Sequence, residues 1–417
     1  MNALREQALR IIEGSIKAVL PEAAVIKALH DRPAARQAVV VAIGKAAWNM
    51  AHAAEQVLGD SIRQGIVITK YEHSKGLIDR FEIIEAGHPI PDENSILGTT
   101  KVLQLVDGLS AEEEVIFLIS GGGSALFEKP LGNLTLQDLM EVTERLLFSG
   151  ADIALVNVVR KHLSAVKGGR FAKLCEPASI FAIVLSDVVG DRLDAIASGP
   201  ACADRSTSEE ALDIVKRYRL DFGPTILEAL RQETPKQIDN CETVVTGSVK
   251  YLCEAAAVEA ERLGYQPHIL ASTLTGEARE VGKMMAAIGR EIAGGGSAFG
   301  FRKPCAIIAG GETVVKVTGN GKGGRNQEAA LAAAFELDGM DDILLFSFGS
   351  DGTDGPTDAA GGIIDGGTIA RMKASGIDPL QHLTNNDAYY ALQASGDLIM
   401  IGATGTNVND VIVLLCK

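Results

Sequence analysis

Apolar residues along this chain gather in short, often β-branched runs, which alternate with longer stretches where they recur at helical spacing. Residues 37–43, 65–69, 81–85, 115–120 and 179–186 read as strands, with helices predicted at 45–58, 92–106, 136–148 and 153–166. Strands that are apolar on both faces and separated by helices predict a mainly parallel sheet covered on both sides, an α/β fold. A second cycle starts at 243–246 and runs through a helix over 249–263 to a short strand at 268–271. Further strands are expected at 306–309, 313–317, 343–348, 398–401 and 411–415, and helices at 277–292, 325–335 and 386–394. The first twenty residues are amphipathic and contain acidic positions, so they read as a helix rather than a signal peptide.

A chain of 417 residues exceeds what one hydrophobic core usually serves, so two domains are expected. The polar stretch 231–240 is the best boundary candidate, giving an N-terminal domain over 1–238 and a smaller C-terminal α/β domain over 239–417. The glycine run 294–296 reads as a loop inside the second half.

Charge narrows the function classes. With 39 Lys and Arg against 54 Asp and Glu, the formal net charge is −15, which opposes nucleic acid as the main partner. No apolar run reaches the roughly 18 residues that suggest a membrane span. The six cysteines contain no C-x-x-C pair, which predicts reduced thiols and a cytoplasmic protein. The histidines show no close metal-ligand spacing, and a structural zinc site is not expected.

The 45 glycines cluster at the ends of the apolar runs, where ligands of parallel sheets bind. In AIGKAA, Gly44 and Lys45 open a helix, whose N-terminus attracts anions; a surface lysine is the plainer alternative. In ISGGGSALF, Gly121, Gly122, Gly123 and Ser124 follow a strand, and three glycines in a row suit a phosphate cradle better than a simple turn. VRKHLSAVKGGRFA places Arg160, Lys161, Lys167 and Arg170 in one basic cluster, equally well explained as a solvated face. In LSDVVGDRLDAIASGP, Asp187 and Asp191 lie just past a strand, placed either to hold Mg²⁺ or to cap a helix.

Two further loops stand out. GGETVVKVTGNGKGGRNQEAAL carries Glu312, then Gly323, Gly324, Arg325 and Asn326, and an arginine delivered by a glycine-rich loop suits carboxylate or phosphate. SFGSDGTDGPTDAAGG holds Asp351, Asp354 and Asp358 but lacks the downstream acid of a helix–loop–helix calcium site. The P-loop signature G-x-x-x-x-G-K-[ST] is absent, as are G-x-G-x-x-G after the first strand and the protein-kinase signatures. The residues alone indicate a two-domain α/β enzyme that binds an anionic, phosphorylated ligand at glycine-lined loops.

In combination, these blocks resemble the class II glycerate kinases, or MOFRL family, along essentially the whole chain. The matching segments are VAIGKAAWNMA, EAGHPIPDENS, ISGGGSALFE, VRKHLSAVKGGRFA, LSDVVGDRLDAIASGP, GGETVVKVTGNGKGGRNQE, SDGTDGPTDAAGGIIDG and GTNVNDVIVLL. The resemblance implies a Rossmann-like N-terminal domain, a smaller C-terminal domain and an active site in the cleft between them. It also implies ATP, a divalent cation such as Mg²⁺, and phosphorylation of D-glycerate at its 2-hydroxyl. Lys45 and Arg325 match positions this family uses in its active site. From the chemistry of the loops, Asp187 is expected to be catalytic and, with Asp191, metal-binding. Gly121–Ser124, Gly323, Gly324 and Asn326 are expected on the nucleotide, and Arg160, Lys161, Glu312 and Asp351 on the substrate. A homodimer is left open. The alternatives are an oxidoreductase acting on hydroxypyruvate, which the missing dinucleotide fingerprint opposes, and a non-catalytic binding protein.

Overall fold

The computed structural model describes residues 3–30, 32, 37–295 and 300–417, so Gly296 of the predicted 294–296 loop lies outside the described residues. The chain divides into two compact units, Pro21–Thr246 and Met1–Leu20 with Gly247–Lys417.

In the first unit the both-face apolar runs become β1 (Ala38–Ile43), β2 (Ile62–Lys70), β3 (Phe81–Ala86), β4 (Glu114–Ile119) and β5 (Ser179–Leu185). A sixth strand, β6 (Cys241–Gly247), completes a sheet of order β3-β2-β1-β4-β5-β6. The pairs β1–β2, β1–β4, β2–β3 and β4–β5 are all parallel. This is the strand order of doubly wound nucleotide-binding sheets, with its reversal between β1 and β4. Every residue of β1 is buried, as expected of a central strand covered by helices on both faces. The chain therefore leaves this sheet only after β6, whereas the polar stretch 231–240 that marked the boundary in sequence precedes it.

The second unit contains β7 (Gln266–Leu274), β8 (Cys305–Gly311), β9 (Ile343–Gly349), β10 (Gly361–Asp365), β11 (Leu398–Ile399) and β12 (Asp410–Cys416). Their order is β11-β10-β9-β12-β8-β7. Only β7–β8 is parallel; β8–β12, β12–β9, β9–β10 and β10–β11 are antiparallel. The strand expected at 313–317 does not form. Val314 makes an isolated bridge to Glu277, and both Val314 and Val317 are exposed, so the alternation there has no sheet to enter. The loop expected over 347–362 ends in the first two residues of β10. A Cβ on Gly361 would fall 1.9 Å from the Ser347 carbonyl oxygen, so glycine is what lets that strand approach β9.

The helix Ala3–Ala18 belongs to the second unit rather than to the N-terminal domain. Its Leu4, Ala8, Ile11 and Ile12 share a core with Leu252, Ala256 and Phe346. All six cysteines are free thiols. No helix among the described residues is long and apolar enough to cross a membrane.

Candidate functional site

In the Pro21–Thr246 unit, the loops after β1 and β4 flank the point where the strand order reverses. They touch because Gly44 has no side chain: at φ 114°, a Cβ there would lie 2.2 Å from Ser120 Oγ. The Lys45 amide donates to the Gly121 carbonyl at 2.9 Å, and the Ala46 amide to Ser120 Oγ at 3.1 Å. Lys45 is thus fixed at the backbone while its side chain stays partly exposed.

The three glycines are bare for a reason visible in their neighbours. A Cβ on Gly121 would meet Asp187 Oδ2 at 2.2 Å. One on Gly122, at φ 88°, would lie 2.9 Å from His88 Cδ2 and 3.3 Å from Lys45 Cγ. An ammonium, an imidazole and a carboxylate therefore surround a stretch of backbone without side chains. Burial, then the positive Lys45 and Lys70, push the His88 imidazole down to about 4, so it is neutral near pH 7.

The same loop is held from beneath. Lys167, fully buried, donates to the Ser124 and Phe127 carbonyls at 2.8 and 3.0 Å and pairs with Glu128 at 3.2 Å. Burial pushes its ammonium down to about 8 against the pull of Glu128. Arg160 Nη2 donates to the Ser124 carbonyl at 3.3 Å and lies 3.9 Å from Glu128. Ser124 Oγ meets Ser198 Oγ at 3.1 Å.

Of the basic cluster, Lys161 does not face this loop as a ligand group. Its Nζ is 2.7 Å from Asp204, a carboxylate that also accepts from Ser206 and Thr234, and Lys161 is only 5% exposed. It projects from the helix Ile153–Leu163 onto Asp204, which neutralises its charge.

Asp191 has an orphaned oxygen: Oδ1 is buried without a hydrogen-bond partner. Asp191 and, beside Gly121, Asp187 are carboxylates of the kind that holds a divalent cation completed by phosphate and water. Among the described residues, no group of three or more His, Cys, Asp or Glu side chains could hold a metal alone.

The second unit contains the other expected residues. Arg325 opens the helix Arg325–Glu336 and pairs through Nε and Nη2 with Asp410, the first residue of β12, and through Nη1 with Glu312 at 3.0 Å. Burial alone would lower the guanidinium, but Asp410 and Glu312 raise it above its ordinary value, so it stays charged. Asp351 is close by. Its Oδ1 and that of Asp410 each lie 3.3 Å from the point where Gly349 would carry a Cβ.

The loop with Gly323, Gly324 and Asn326, expected on the nucleotide, packs closely against its own unit. A Cβ on Gly324 would strike Asp354 Cγ at 2.2 Å, and Gly323 lies against Ala388. The Gly321 amide donates to the Asn385 carbonyl and the Lys322 amide to Asp387. Asn326 is buried, with Oδ1 accepting from Ser347 Oγ at 2.6 Å. Asp354 accepts the Asn326 and Gln327 amides at 3.2 and 2.9 Å. Burial nevertheless pushes Asp354 up to about 7, with Asp410 adding to the rise.

Two residues escaped the sequence reading. His88 lay inside the segment EAGHPIPDENS without an assigned role, and its histidine between glycine and proline was the available signal. Asp410 opens the last apolar run, and nothing local distinguished it from a strand-edge acid.

Two family models match the chain, a domain of unknown function (DUF4147) over residues 7–231 and the MOFRL family over residues 305–410. The chain is 52% identical to a D-glycerate 2-kinase of Thermotoga maritima over 99% of this chain and 98% of that one. A solved structure of a glycerate kinase from the same organism superimposes with a TM-score of 0.97 at 51% identity, covering all of both chains. A relative from Agrobacterium vitis, 41% identical over 99% of this chain and 94% of its own, bears a provisional hydroxypyruvate reductase label.

Proposed function

This chain belongs to the class II glycerate kinase, or MOFRL, family, and from that premise we propose that it transfers the γ-phosphoryl group of ATP to the 2-hydroxyl of D-glycerate. The products are 2-phosphoglycerate and ADP. The observation that carries this reading is the convergence of Lys45, His88 and Asp187 on the side-chain-free Gly121–Gly123 at the reversal of strand order. Phosphoryl transfer depends on positioning and charge neutralisation more than on covalent help from the protein. A glycine backbone beside a lysine offers both.

In this reading the amides of Gly121 and Gly122, with the Ser124 hydroxyl, take phosphate oxygens at the cradle closed by Gly123, and Lys45 neutralises the transferring group. Asp187 accepts the hydroxyl proton as the oxygen attacks phosphorus and the bond to ADP breaks, or holds the cation together with Asp191. Mg²⁺, when bound, supplies charge neutralisation on the phosphates. Arg325 stabilises the transferring phosphoryl or holds the glycerate carboxylate, with Glu312 and Asp351 setting its partners and Arg160 supporting the cradle. The free thiols support a cytoplasmic enzyme.

Incubation of purified protein with ATP, Mg²⁺ and D-glycerate, followed by phosphorus NMR, tests the proposal. A 2-phosphoglycerate product is expected; 3-phosphoglycerate would overturn the position, and absence of ADP formation would overturn the activity. The reductase label of one relative adds a control: hydroxypyruvate should not drive oxidation of NADH or NADPH.

A further inference from the structure

The glycine cradle borders a groove that the phosphoryl chemistry does not use. It lies between the segment after β3 and the helix Leu136–Phe148, with a volume of about 530 Å³ in the range of small-molecule sites. Its walls include Pro89, Ile90, Met140, Leu147 and Phe148. Leu147 is 51% and Phe148 89% exposed, an unusual cost to leave in water without an occupant.

The groove is continuous with the cradle at two points. Pro89 follows His88, whose ring stands against Gly122. Arg160, another wall residue, donates to the Ser124 carbonyl. Its polar groups are few: Thr143 and Glu144 stand along the helix, and Arg160 and Glu128 lie at the cradle side. A flat heterocycle with apolar faces and a hydrogen-bonding edge, attached to a phosphate chain, matches this order of surfaces.

We propose that this groove is the base pocket of the phosphoryl donor and takes the adenine of an adenine nucleotide whose phosphates occupy the Gly121–Ser124 loop. The inference rests on the kinase reading above. Aliphatic side chains enclose the ring faces, the exocyclic amine meets the acceptors Thr143 Oγ1 and Glu144, and the anionic tail runs toward Arg160 and Lys45. The placement of acceptors beside the amine and cations beside the phosphates gives the groove a direction that a general apolar patch would lack.

Calorimetric titration of the full-length protein with ATP and with inorganic tripolyphosphate separates base from phosphate recognition. The variants are Met140→Glu and Leu147→Glu; Leu147 is exposed enough for its change to leave folding intact. The expected result is at least a tenfold weaker affinity for ATP with unchanged affinity for tripolyphosphate, and a raised KM for ATP at constant KM for glycerate. Unchanged ATP affinity in both variants would overturn the pocket while leaving the kinase intact. A wild-type protein that neither binds nor turns over ATP would overturn the kinase reading and the pocket together. A wild-type dimer by sedimentation that both variants disrupt, with ATP affinity retained, would assign the groove to a second copy instead.

Discussion

The loops around Lys45 and those around Arg325 are built from the same residue types, and in both a missing side chain admits a carboxylate; they differ in what else stands there. Beside Lys45, Asp187 Oδ2 lies 2.2 Å from where Gly121 would carry a Cβ, and His88 Cδ2 and Lys45 Cγ lie 2.9 and 3.3 Å from the same point on Gly122. Beside Arg325, the absent side chain of Gly324 is filled by Asp354, and Gly321 is bonded into the segment Asn385–Asp387. In the parallel sheet the loops after β1 and β4 meet at the reversal of strand order and are bonded to each other. Antiparallel neighbours dominate the second sheet, and there the loop and a following helix close on one another. A glycine-rich loop is therefore evidence of close backbone approach, and only the fold decides what approaches.

The comparison is broken first at the two cations. Lys45→Ala should lower kcat/KM by about 10²–10³-fold, the scale for removing a group that meets developing charge. Arg325→Ala should cost at least ~2 kcal/mol of transition-state stabilisation. Steady-state kinetics with ATP and glycerate measure both, and near-normal kcat/KM in either variant removes that residue from the mechanism.

The glycines sharpen it next. Gly324→Ala should lose ~1–3 kcal/mol of stability by overpacking against Asp354. Gly122→Ala should lose roughly 1–2 kcal/mol, because its φ of 88° is unfavourable for any residue with a Cβ. The two should separate in function: chemical denaturation reads the first as a stability change, whereas the second also weakens tripolyphosphate binding. Equal losses of tripolyphosphate binding in both would erase the distinction between cradle and packed loop.

Titration gives two pH-dependent effects of opposite direction. Asp354 is raised from 3.8 to about 7 in the folded protein, so native protein keeps a proton that the unfolded chain has released. Its contribution to stability falls as pH rises from about 4 to about 7. His88 is lowered from 6.5 to about 4, so the unfolded chain takes up a proton first. Its contribution is lost as pH falls from about 6.5 to about 4. Melting temperatures across that range should show Asp354→Asn flattening the first slope and His88→Gln the second. Profiles parallel to wild type would show that neither group is perturbed as described.

Much of this arrangement was legible along the chain. The all-buried β1 and the apolar β4 and β5 carry their burial in their composition, and the glycines that follow β1 and β4 mark where backbone must come close. The expected helix at 136–148 coincides with Leu136–Phe148, whose Thr135 and Asp138 cap it reciprocally. The strand at 313–317 was misread because alternation records where apolar residues fall, not whether a neighbouring strand is there to cover them. The partner of Lys161, Asp204, lies far along the chain, and a charge pattern does not reveal a distant counterion.

By itself, then, the sequence determined the α/β class, most central strands, the helix spacing and the identity of the chemical groups at the loop ends, because these follow from local periodicity and backbone freedom. The tertiary structure decided strand order, the placement of the first helix with the last residues, and which groups approach each glycine loop. It also brought His88 to Gly122 and Asp410 to Arg325. Those outcomes depend on contacts between residues far apart in the chain, where burial and pairing are set by the partner that folding supplies rather than by local composition.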